Sequence, residues 1–214
     1  MPDFTTILFD LDGTLVDAFT TIHRSYIHTL PQFGRPEPSM AEVRRAVGGG
    51  LERAMGHFLP PEHIPDAMKV HLAYSEKILL EDVKPLPDAE ALLRSLHGRG
   101  IRLAVYTNKL GDAARLICNH LGFAPFLQGI YGAGDTPWLK PQREFSDHVL
   151  RELGATAATT LLVGDSPFDV ETAKIARFAC WCVTTGTHDE AQLRAAGAEK
   201  IVPGLPEIAR ELTA

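Results

Sequence analysis

The chain has 214 residues, of which 45% are hydrophobic and 22% are charged, and this composition is typical of a soluble globular protein with one large domain or one domain plus a small insert. Its formal net charge of -6 leaves no cationic surplus, so we expect no nucleic-acid partner and no membrane partner. The three cysteines lack CxxC spacing, the N-terminal segment has neither a basic nor a long apolar region, and no apolar run could cross a bilayer, which favours a cytoplasmic location.

Short apolar runs rich in β-branched residues predict buried parallel strands. These runs span residues 6–9, 101–106, 160–163 and 179–183. Amphipathic patterns that are each followed by glycine predict helices. These patterns span residues 88–97, 112–121 and 145–153. The alternation of strands and helices predicts an α/β fold with a doubly wound parallel sheet.

The interval between the first two strands is too long for one crossover helix and has helical patterns of its own. These patterns span residues 19–30, 40–59 and 67–80. Asp17 and the turn-rich segment 84–87 border the interval, as two hinge segments between a lid and a core would. We therefore predict an α/β core of residues 1–16 plus 86–214 and an inserted all-helical cap of residues 17–85.

Polar side chains follow three predicted strands at the edge where a doubly wound sheet binds ligands. The three segments are Asp10-Leu11-Asp12-Gly13-Thr14, Thr107-Asn108-Lys109 and Gly164-Asp165-Ser166-Pro167-Phe168-Asp169. Lys140-Pro141 precedes the helix predicted over 145–153. We therefore expect one crevice to collect the side chains of Asp10, Asp12, Asp165, Asp169, Thr107, Asn108 and Lys140.

Several carboxylates in one crevice repel each other and are costly to bury unless a cation accompanies them. All-oxygen ligation without clustered histidine or cysteine favours Mg²⁺ over zinc. Hydroxyl, amide and ammonium donors opposite the acids favour an anion, so the pattern indicates phosphoryl transfer. In such a reaction Asp10 can accept the phosphoryl group, while Asp12 can protonate the leaving oxygen and later deprotonate water.

Together these motifs resemble those of the haloacid dehalogenase superfamily, in particular its phosphoglycolate phosphatase-like group with a helical C1-type cap. The resemblance covers nearly the whole chain and rests on the order of the four segments. It implies a Mg²⁺-dependent phosphatase of a small phosphate ester, with 2-phosphoglycolate as the leading substrate.

The resemblance also implies a role for each matched residue. Asp10 would be the nucleophile and a metal ligand, and Asp12 the acid/base that ligates through its carbonyl. Asp165 would be a further metal ligand, and Asp169 would support the metal waters or the lysine. Phosphate would be held by Thr107, Asn108 and Lys140.

Gly48-Gly49-Gly50 interrupts a helical pattern of the predicted cap, and three glycines there carry a helix-propensity penalty. Capped relatives present such a loop to the pocket, so the resemblance implies contact with the leaving group. The candidates are Arg44, Arg45, Leu51 and Arg53, and we select Arg45 and Gly49 as substrate-specificity residues. An ordinary turn between helices with solvated arginines is the alternative.

Other functions stay open at this point. A phospho-accepting signalling domain also uses an aspartate, a threonine and a lysine, but its acidic pair is normally contiguous, whereas Leu11 separates Asp10 from Asp12 here. A phosphomutase shares the nucleophile and the acid/base and differs in the acceptor. Sugar phosphates and nucleoside monophosphates remain alternative substrates, and the chain is expected to be a monomer or a homodimer.

Overall fold

The computed structural model describes residues 4–213. The predicted core also includes residues 1–3 and 214, which lie outside the described residues. The strands are, in chain order, β1 (Thr6–Phe9), β2 (Val16–Asp17), β3 (Lys84–Pro85), β4 (Arg102–Leu110), β5 (Gly129–Ala133), β6 (Thr160–Gly164), β7 (Ala179–Val183) and β8 (Lys200–Val202).

The helices are α1 (Phe19–Thr29), α2 (Met40–Ala46), α3 (Leu51–Met55), α4 (Ile64–Ile78), α5 (Ala89–Gly98), α6 (Gly111–His120), α7 (Arg143–Leu153), α8 (Pro167–Ala176), α9 (Glu190–Ala195) and α10 (Leu205–Thr213). Short 3-10 turns lie at Leu30–Phe33, Pro61–His63, Ala124–Phe126 and Ala157–Thr159. None of the helices within residues 4–213 is both long and apolar enough to span a lipid bilayer.

A six-stranded parallel sheet forms the centre of the fold, in the order β5-β4-β1-β6-β7-β8. The central strand β1 lies between β4 and β6, so that Leu8 is level with Ala104 on one side and Leu162 on the other. All four residues of β1 are buried, as expected for a strand whose two faces are both covered.

Helices cover both faces of this sheet. Leu92 and Leu96 of α5 and Ile117 of α6 belong to the apolar cluster on one face. Phe145 and Val149 of α7 belong to the cluster on the other face. The structure therefore confirms the predicted doubly wound α/β fold.

Sequence reasoning missed the strands β5 and β8. β5 reads Gly-Ile-Tyr-Gly-Ala, and its two glycines hide the apolar pattern. A Cβ on Gly132 would lie 2.6 Å from both the Cα atom of Gly111 and the carbonyl oxygen of Lys109, so close backbone packing requires this glycine. β8 has three residues, which is too short for a periodicity argument.

Helices α1 to α4 pack around an apolar cluster of their own, which includes Tyr26, Val43, Met55 and Ala67. The chain enters and leaves this group of helices through β2 and β3, which pair as a two-stranded antiparallel sheet. The helical pattern over 40–59 is divided into α2 and α3, because Gly48 and Gly50 both have positive φ angles, 117° and 90°.

Candidate active site

Asp10 directly follows the central strand β1, so its carboxylate lies at the carboxyl edge of the sheet. The backbone N–H of Asp10 donates to the carbonyl of Val163 at 2.9 Å. Asp10 is 6% exposed. Its Oδ1 accepts a hydrogen bond from the N–H of Leu11 at 2.7 Å and lies 3.2 Å from Lys140 Nζ. These contacts fix the orientation of a buried carboxylate.

Three buried carboxylates meet at this edge: oxygens of Asp10, Asp165 and Asp169 lie within 4.8 Å of one another. The start of α8 explains the position of Asp169. Its Oδ2 accepts hydrogen bonds from Ser166 Oγ at 2.6 Å and from the N–H groups of Ser166 at 3.1 Å and Asp165 at 3.2 Å. This capping arrangement brings the predicted acids of two strand ends together.

Burial raises the pKa of two of these carboxyl groups. Desolvation raises the pKa of Asp10 to about 6, with Lys140 opposing the shift and Asp169 adding to it. Desolvation raises the pKa of Asp165 to about 8, with the charges of Asp10 and Asp169 as further causes. Among the cationic side chains of residues 4–213, only that of Lys140 forms ion pairs with this group of three carboxylates. An all-oxygen donor set that is short of positive charge fits a hard divalent cation such as Mg²⁺.

Lys140 is 3% exposed, and its Nζ donates to Asp169 Oδ1 at 2.7 Å. Burial by itself would lower the pKa of Lys140, but Asp10 and Asp169 outweigh burial and raise it. Asn108 fixes the backbone of this lysine, because its Oδ1 accepts from the Lys140 N–H at 2.8 Å and its Nδ2 donates to the Lys140 carbonyl at 3.0 Å. Asn108 Nδ2 also donates to the carbonyl of Gly48 at 3.0 Å. Lys140 is therefore held at both its backbone and its ammonium end.

Thr107 lies in the buried part of β4 and is 2% exposed. Its hydroxyl is hydrogen-bonded to the carboxylate of Asp10, which lowers the pKa of that aspartate against the effect of burial. Thr107 and Asn108 both line the cavity described below. Their assignment to phosphate binding stays a prediction.

Asp12 lies outside the group of three carboxylates and is paired with a second lysine. Its Oδ2 and Oδ1 lie 2.9 Å and 3.1 Å from Lys109 Nζ. Sequence reasoning quoted Lys109 beside Thr107 and Asn108 but gave it no role. Lys109 directly follows two other site residues at a strand end, and this position could have identified it as a site residue.

Three loops meet at Asp165. Its Oδ1 accepts a hydrogen bond from Thr14 Oγ1 at 3.2 Å, and its Oδ2 accepts from the N–H and the hydroxyl of Thr187 at 2.7 Å and 2.9 Å. A Cβ on Gly186 would lie 1.9 Å from Asp165 Oδ2, so only glycine fits there. Sequence reasoning missed Thr187, although it follows β7, whose carboxyl end lies at the same edge of the sheet.

A cavity of about 280 Å³ lies over the site, between the carboxyl edge of the sheet and the helices α1, α3 and α4. Asp10, Asp12 and Asp165 line its core side. The glycine loop lines it through Gly48 and Gly50. The cavity therefore connects the carboxylates with the inserted helices.

The structure does not bring the two predicted specificity residues to this cavity. Arg45 is exposed on α2 and is absent from the described lining, as is Gly49. A Cβ on Gly49 would lie 2.7 Å from both Arg53 Cδ and Phe168 Cζ, so Gly49 packs beside α8. The role of Arg45 and Gly49 in specificity stays a prediction. Leu51, two residues after Gly49, does line the cavity.

The sequence profile of the haloacid dehalogenase-like hydrolases matches residues 7–183. "Probable phosphatase IndB" of Dickeya dadantii (strain 3937) is 33% identical over 208 residues, which cover 94% of this chain and 90% of that protein. A phosphoglycolate phosphatase of Pseudomonas syringae pv. syringae (strain B728a) is 31% identical over 190 residues, which cover 84% of this chain and 69% of that protein. A crystal structure described as a predicted phosphoglycolate phosphatase, from Haemophilus somnus 129PT, shares the fold with a TM-score of 0.90 over 100% of both chains at 23% identity.

Proposed function

Because the chain belongs to the haloacid dehalogenase-like hydrolases and is a phosphoric monoester hydrolase, we propose that it transfers the phosphoryl group of a small ester to Asp10, with Mg²⁺ as cofactor. The main support is the position of Asp10, which is buried at the end of the central strand within reach of Asp165, Asp169 and Lys140. A carboxylate can carry a phosphoryl group as a covalent intermediate.

In the first half-reaction, an oxygen of Asp10 forms a bond to phosphorus while the bond from phosphorus to the leaving oxygen breaks. Asp12 donates a proton to that leaving oxygen. Thr107, Asn108 and Lys140 are the proposed donors to the phosphoryl oxygens, and the rigid position of Lys140 means that little reorganisation is needed.

In the second half-reaction, Asp12 takes a proton from water, which attacks the phosphorus atom and releases phosphate from Asp10. Asp12 thus returns to its starting state after each cycle. Lys109 lies 2.9 Å from Asp12 Oδ2 and holds the carboxylate in place while it exchanges the proton.

The proposed ligands of Mg²⁺ are the carboxylates of Asp10 and Asp165 and the carbonyl of Asp12, with Asp169 in support. When bound, the ion supplies positive charge to the oxygens of the transferring group. The raised pKa values of Asp10 and Asp165 support this proposal, because they indicate that the buried acids lack compensating charge.

We also propose that residues 17–85 act as a cap over this core. The antiparallel pair of β2 and β3 supports the proposal, since the chain passes between the two units only there. A cap that closes over Asp10 would exclude bulk water from the transferring group.

Phosphate release from p-nitrophenyl phosphate tests the proposal. We expect excess chelator to abolish release and Mg²⁺ to restore it, and Asp10→Asn to slow release by at least about a thousandfold. Asp112→Asn is the matched control, because that side chain is 96% exposed and pairs with Arg115 away from the site. Circular dichroism checks that each variant is folded.

Two results would contradict the proposal. Turnover by Asp10→Asn within tenfold of the unchanged protein would remove the nucleophile assignment. Full activity in excess chelator would remove the metal assignment. Release of phosphate in excess over protein also separates an enzyme from a phospho-accepting signalling domain.

The substrate suggested by resemblance is 2-phosphoglycolate, and the name of the Pseudomonas syringae relative supports it. That support comes from likeness alone. The side chains that line the cavity of this chain favour a different leaving group.

A further inference from the structure

We infer that the leaving group of the natural substrate carries no net charge and lies in the apolar half of the cavity, with His71 as its polar contact. The inference rests on the proposed function, because it concerns the alcohol that is released when Asp10 takes the phosphoryl group. It distinguishes the substrate from 2-phosphoglycolate, whose leaving group carries a carboxylate.

The half of the cavity that faces the inserted helices is mainly apolar. It is lined by Ile22, Tyr26, Val47, Leu51, Met68 and Leu72. A carboxylate transferred from water into such surroundings loses its hydration, which is strongly unfavourable without a partner. An uncharged organic group gains from the same transfer.

The nearby arginines do not supply that partner. Arg44 Nη1 donates to the carbonyl of Gly186 at 3.1 Å, and its guanidinium lies 3.9 Å from the ring centre of Phe19. The guanidinium of Arg53 lies 4.9 Å from the ring centre of Phe168. No arginine is among the residues that line the cavity within residues 4–213.

The charged side chains that do line the cavity also disfavour an anionic leaving group. The ammonium group of Lys109 is already paired with Asp12, at 2.9 Å. Glu52 of α3 lines the cavity as a further anion. A carboxylate on the leaving group would therefore meet like charge, and the lysine of the described lining is already neutralised.

Two uncharged polar side chains of α4, those of His71 and Ser75, line the cavity, and His71 is the more deeply buried of the two. It lines the cavity and is 6% exposed, and its Nδ1 has no hydrogen-bond partner among the described residues. Its ring packs edge-on against Tyr26, with ring centres 4.8 Å apart. The Nδ1 atom is enclosed by protein, so we assign the contact with the leaving group to Nε2, the other nitrogen of the ring.

The imidazole of His71 is neutral, because burial lowers its pKa to about 4 and Lys109 and His28 act in the same direction. A neutral imidazole has one donor and one acceptor nitrogen and offers a hydrogen bond without a charge. A hydroxyl or carbonyl group suits it, whereas a carboxylate gains no ion pair from it. The volume of about 280 Å³ restricts the leaving group to a small molecule.

A matched pair of esters tests the charge preference. In 2-hydroxyethyl phosphate a CH₂OH group replaces the carboxylate that 2-phosphoglycolate carries on the same skeleton. We expect kcat/KM with Mg²⁺ to be at least about tenfold higher for 2-hydroxyethyl phosphate than for 2-phosphoglycolate. Hydrolysis of p-nitrophenyl phosphate shows separately whether the protein cleaves phosphate esters at all.

The outcomes are distinguishable. Hydrolysis of p-nitrophenyl phosphate together with an equal or higher kcat/KM for 2-phosphoglycolate would overturn the inference and leave the proposed function standing. Hydrolysis of none of the three esters would overturn the proposed function, and the inference with it.

The role of His71 is tested by His71→Phe, which keeps an aromatic ring and removes both nitrogens. We expect the preference for 2-hydroxyethyl phosphate over ethyl phosphate to fall at least about threefold, mainly through KM. The ratio within one variant does not depend on its folded fraction. His57→Phe is the control, because His57 is exposed and does not line the cavity. An unchanged ratio in His71→Phe would overturn the assignment of His71.

A substitution that reverses the charge of Glu52 gives a second test of the charge preference. Glu52→Lys places a cation at an exposed position of the cavity lining. The preference for 2-hydroxyethyl phosphate over 2-phosphoglycolate, measured as the ratio of their kcat/KM values, should then fall severalfold. An unchanged ratio would show that charge in this part of the cavity does not select the substrate.

Discussion

At the scale of single residues, Asp165 shows how strongly a carboxyl group depends on its neighbours. Thr14 and Thr187 hold its two oxygens, yet burial beside Asp10 and Asp169 raises its pKa to about 8. Without further positive charge, the folded protein therefore takes up protons that the unfolded chain does not hold at neutral pH. This difference links stability to pH.

We predict that the protein without divalent cations loses stability as pH rises. The pKa values of Asp10 and Asp165 are about 6 and about 8 in the folded protein, against an ordinary value of 3.8. Their stabilising contribution is full below the ordinary value and is lost as pH rises through the folded values. Between about pH 5 and pH 8.5 the Tm should fall by about 5 °C or more.

Mg²⁺ should remove much of this slope, because the ion replaces the protons as the source of positive charge. Thermal unfolding at both pH values, with and without Mg²⁺, measures the effect. Asp165→Asn should flatten the dependence in the absence of metal. A Tm that rises from pH 5 to pH 8.5 in the presence of chelator would contradict the prediction.

Asp12→Asn should separate binding from turnover. The amide keeps the shape of the side chain but can neither protonate the leaving oxygen nor deprotonate water, so we expect kcat to fall at least about a hundredfold. Affinity for phosphate esters should be retained. Single-turnover rates and product inhibition by inorganic phosphate measure the two effects, and unchanged rates would assign the acid/base role to another group.

At the scale of elements, the loop between α2 and α3 depends on glycine. Gly50 has φ 90° and ψ 159°, a region that residues with a side chain avoid, and a Cβ there would lie 3.1 Å from Leu139 Cδ1. We predict that Gly50→Ala lowers the free energy of unfolding by about 2–3 kcal/mol and raises KM, because Gly50 lines the cavity.

Gly34→Ala is the matched control for Gly50→Ala. Gly34 also has positive φ, at 68°, but no atom lies within 4 Å of the Cβ position. Gly34→Ala should lower the free energy of unfolding, measured in urea, by about 1 kcal/mol and leave KM unchanged. Equal KM values for Gly50→Ala and the unchanged protein would show that the loop does not shape the cavity.

The sequence predicts an element well where one pattern determines it. β1 and β7 have the predicted bounds, because the apolar run of each is continuous; β1 is buried throughout and β7 at its last two residues. β5 and β8 lie at the sheet edges, where fewer neighbours demand apolar residues and two glycines or a three-residue length leave no pattern. These two edge strands could therefore be identified only from the structure.

The same limit applies to the site. Asp10, Asp165 and Asp169 were predicted to converge because strand ends meet at one edge of a parallel sheet. His71 could not be predicted, since its burial and its place in the cavity arise from the packing of α4 against α1 and the core. Arg45 looked equivalent to Arg44 along the chain, but it is Arg44 that reaches the core, through Gly186.

At the scale of the whole molecule, several contacts join the inserted helices to the core. They include the hydrogen bonds from Arg44 to Gly186 and from Asn108 to Gly48, and the packing of Arg53 over Phe168. Any opening of the cavity by separation of the two units must break them. Loss of one of these polar contacts should therefore weaken the arrangement that encloses the cavity.

We predict that Arg44→Ala raises KM for the preferred small ester by about threefold to tenfold, because the arrangement that encloses the leaving group is less stable. p-Nitrophenyl phosphate, whose leaving group needs little help from the protein, should be affected less. Arg35→Ala is the control, since Arg35 is exposed and absent from the described lining. Equal losses with both esters would assign Arg44 a purely structural role.

The position of β1 at the centre of the sheet has a consequence for synthesis on the ribosome. Thr14, just after β1, and Asp165, just after β6, are 151 residues apart along the chain. At about 5–20 residues per second, roughly 8–30 s pass between the emergence of these two segments. Throughout that interval the backbone N–H and C=O groups on the β6 side of β1 have no strand partner, so this apolar strand can pair wrongly until β6 has been made.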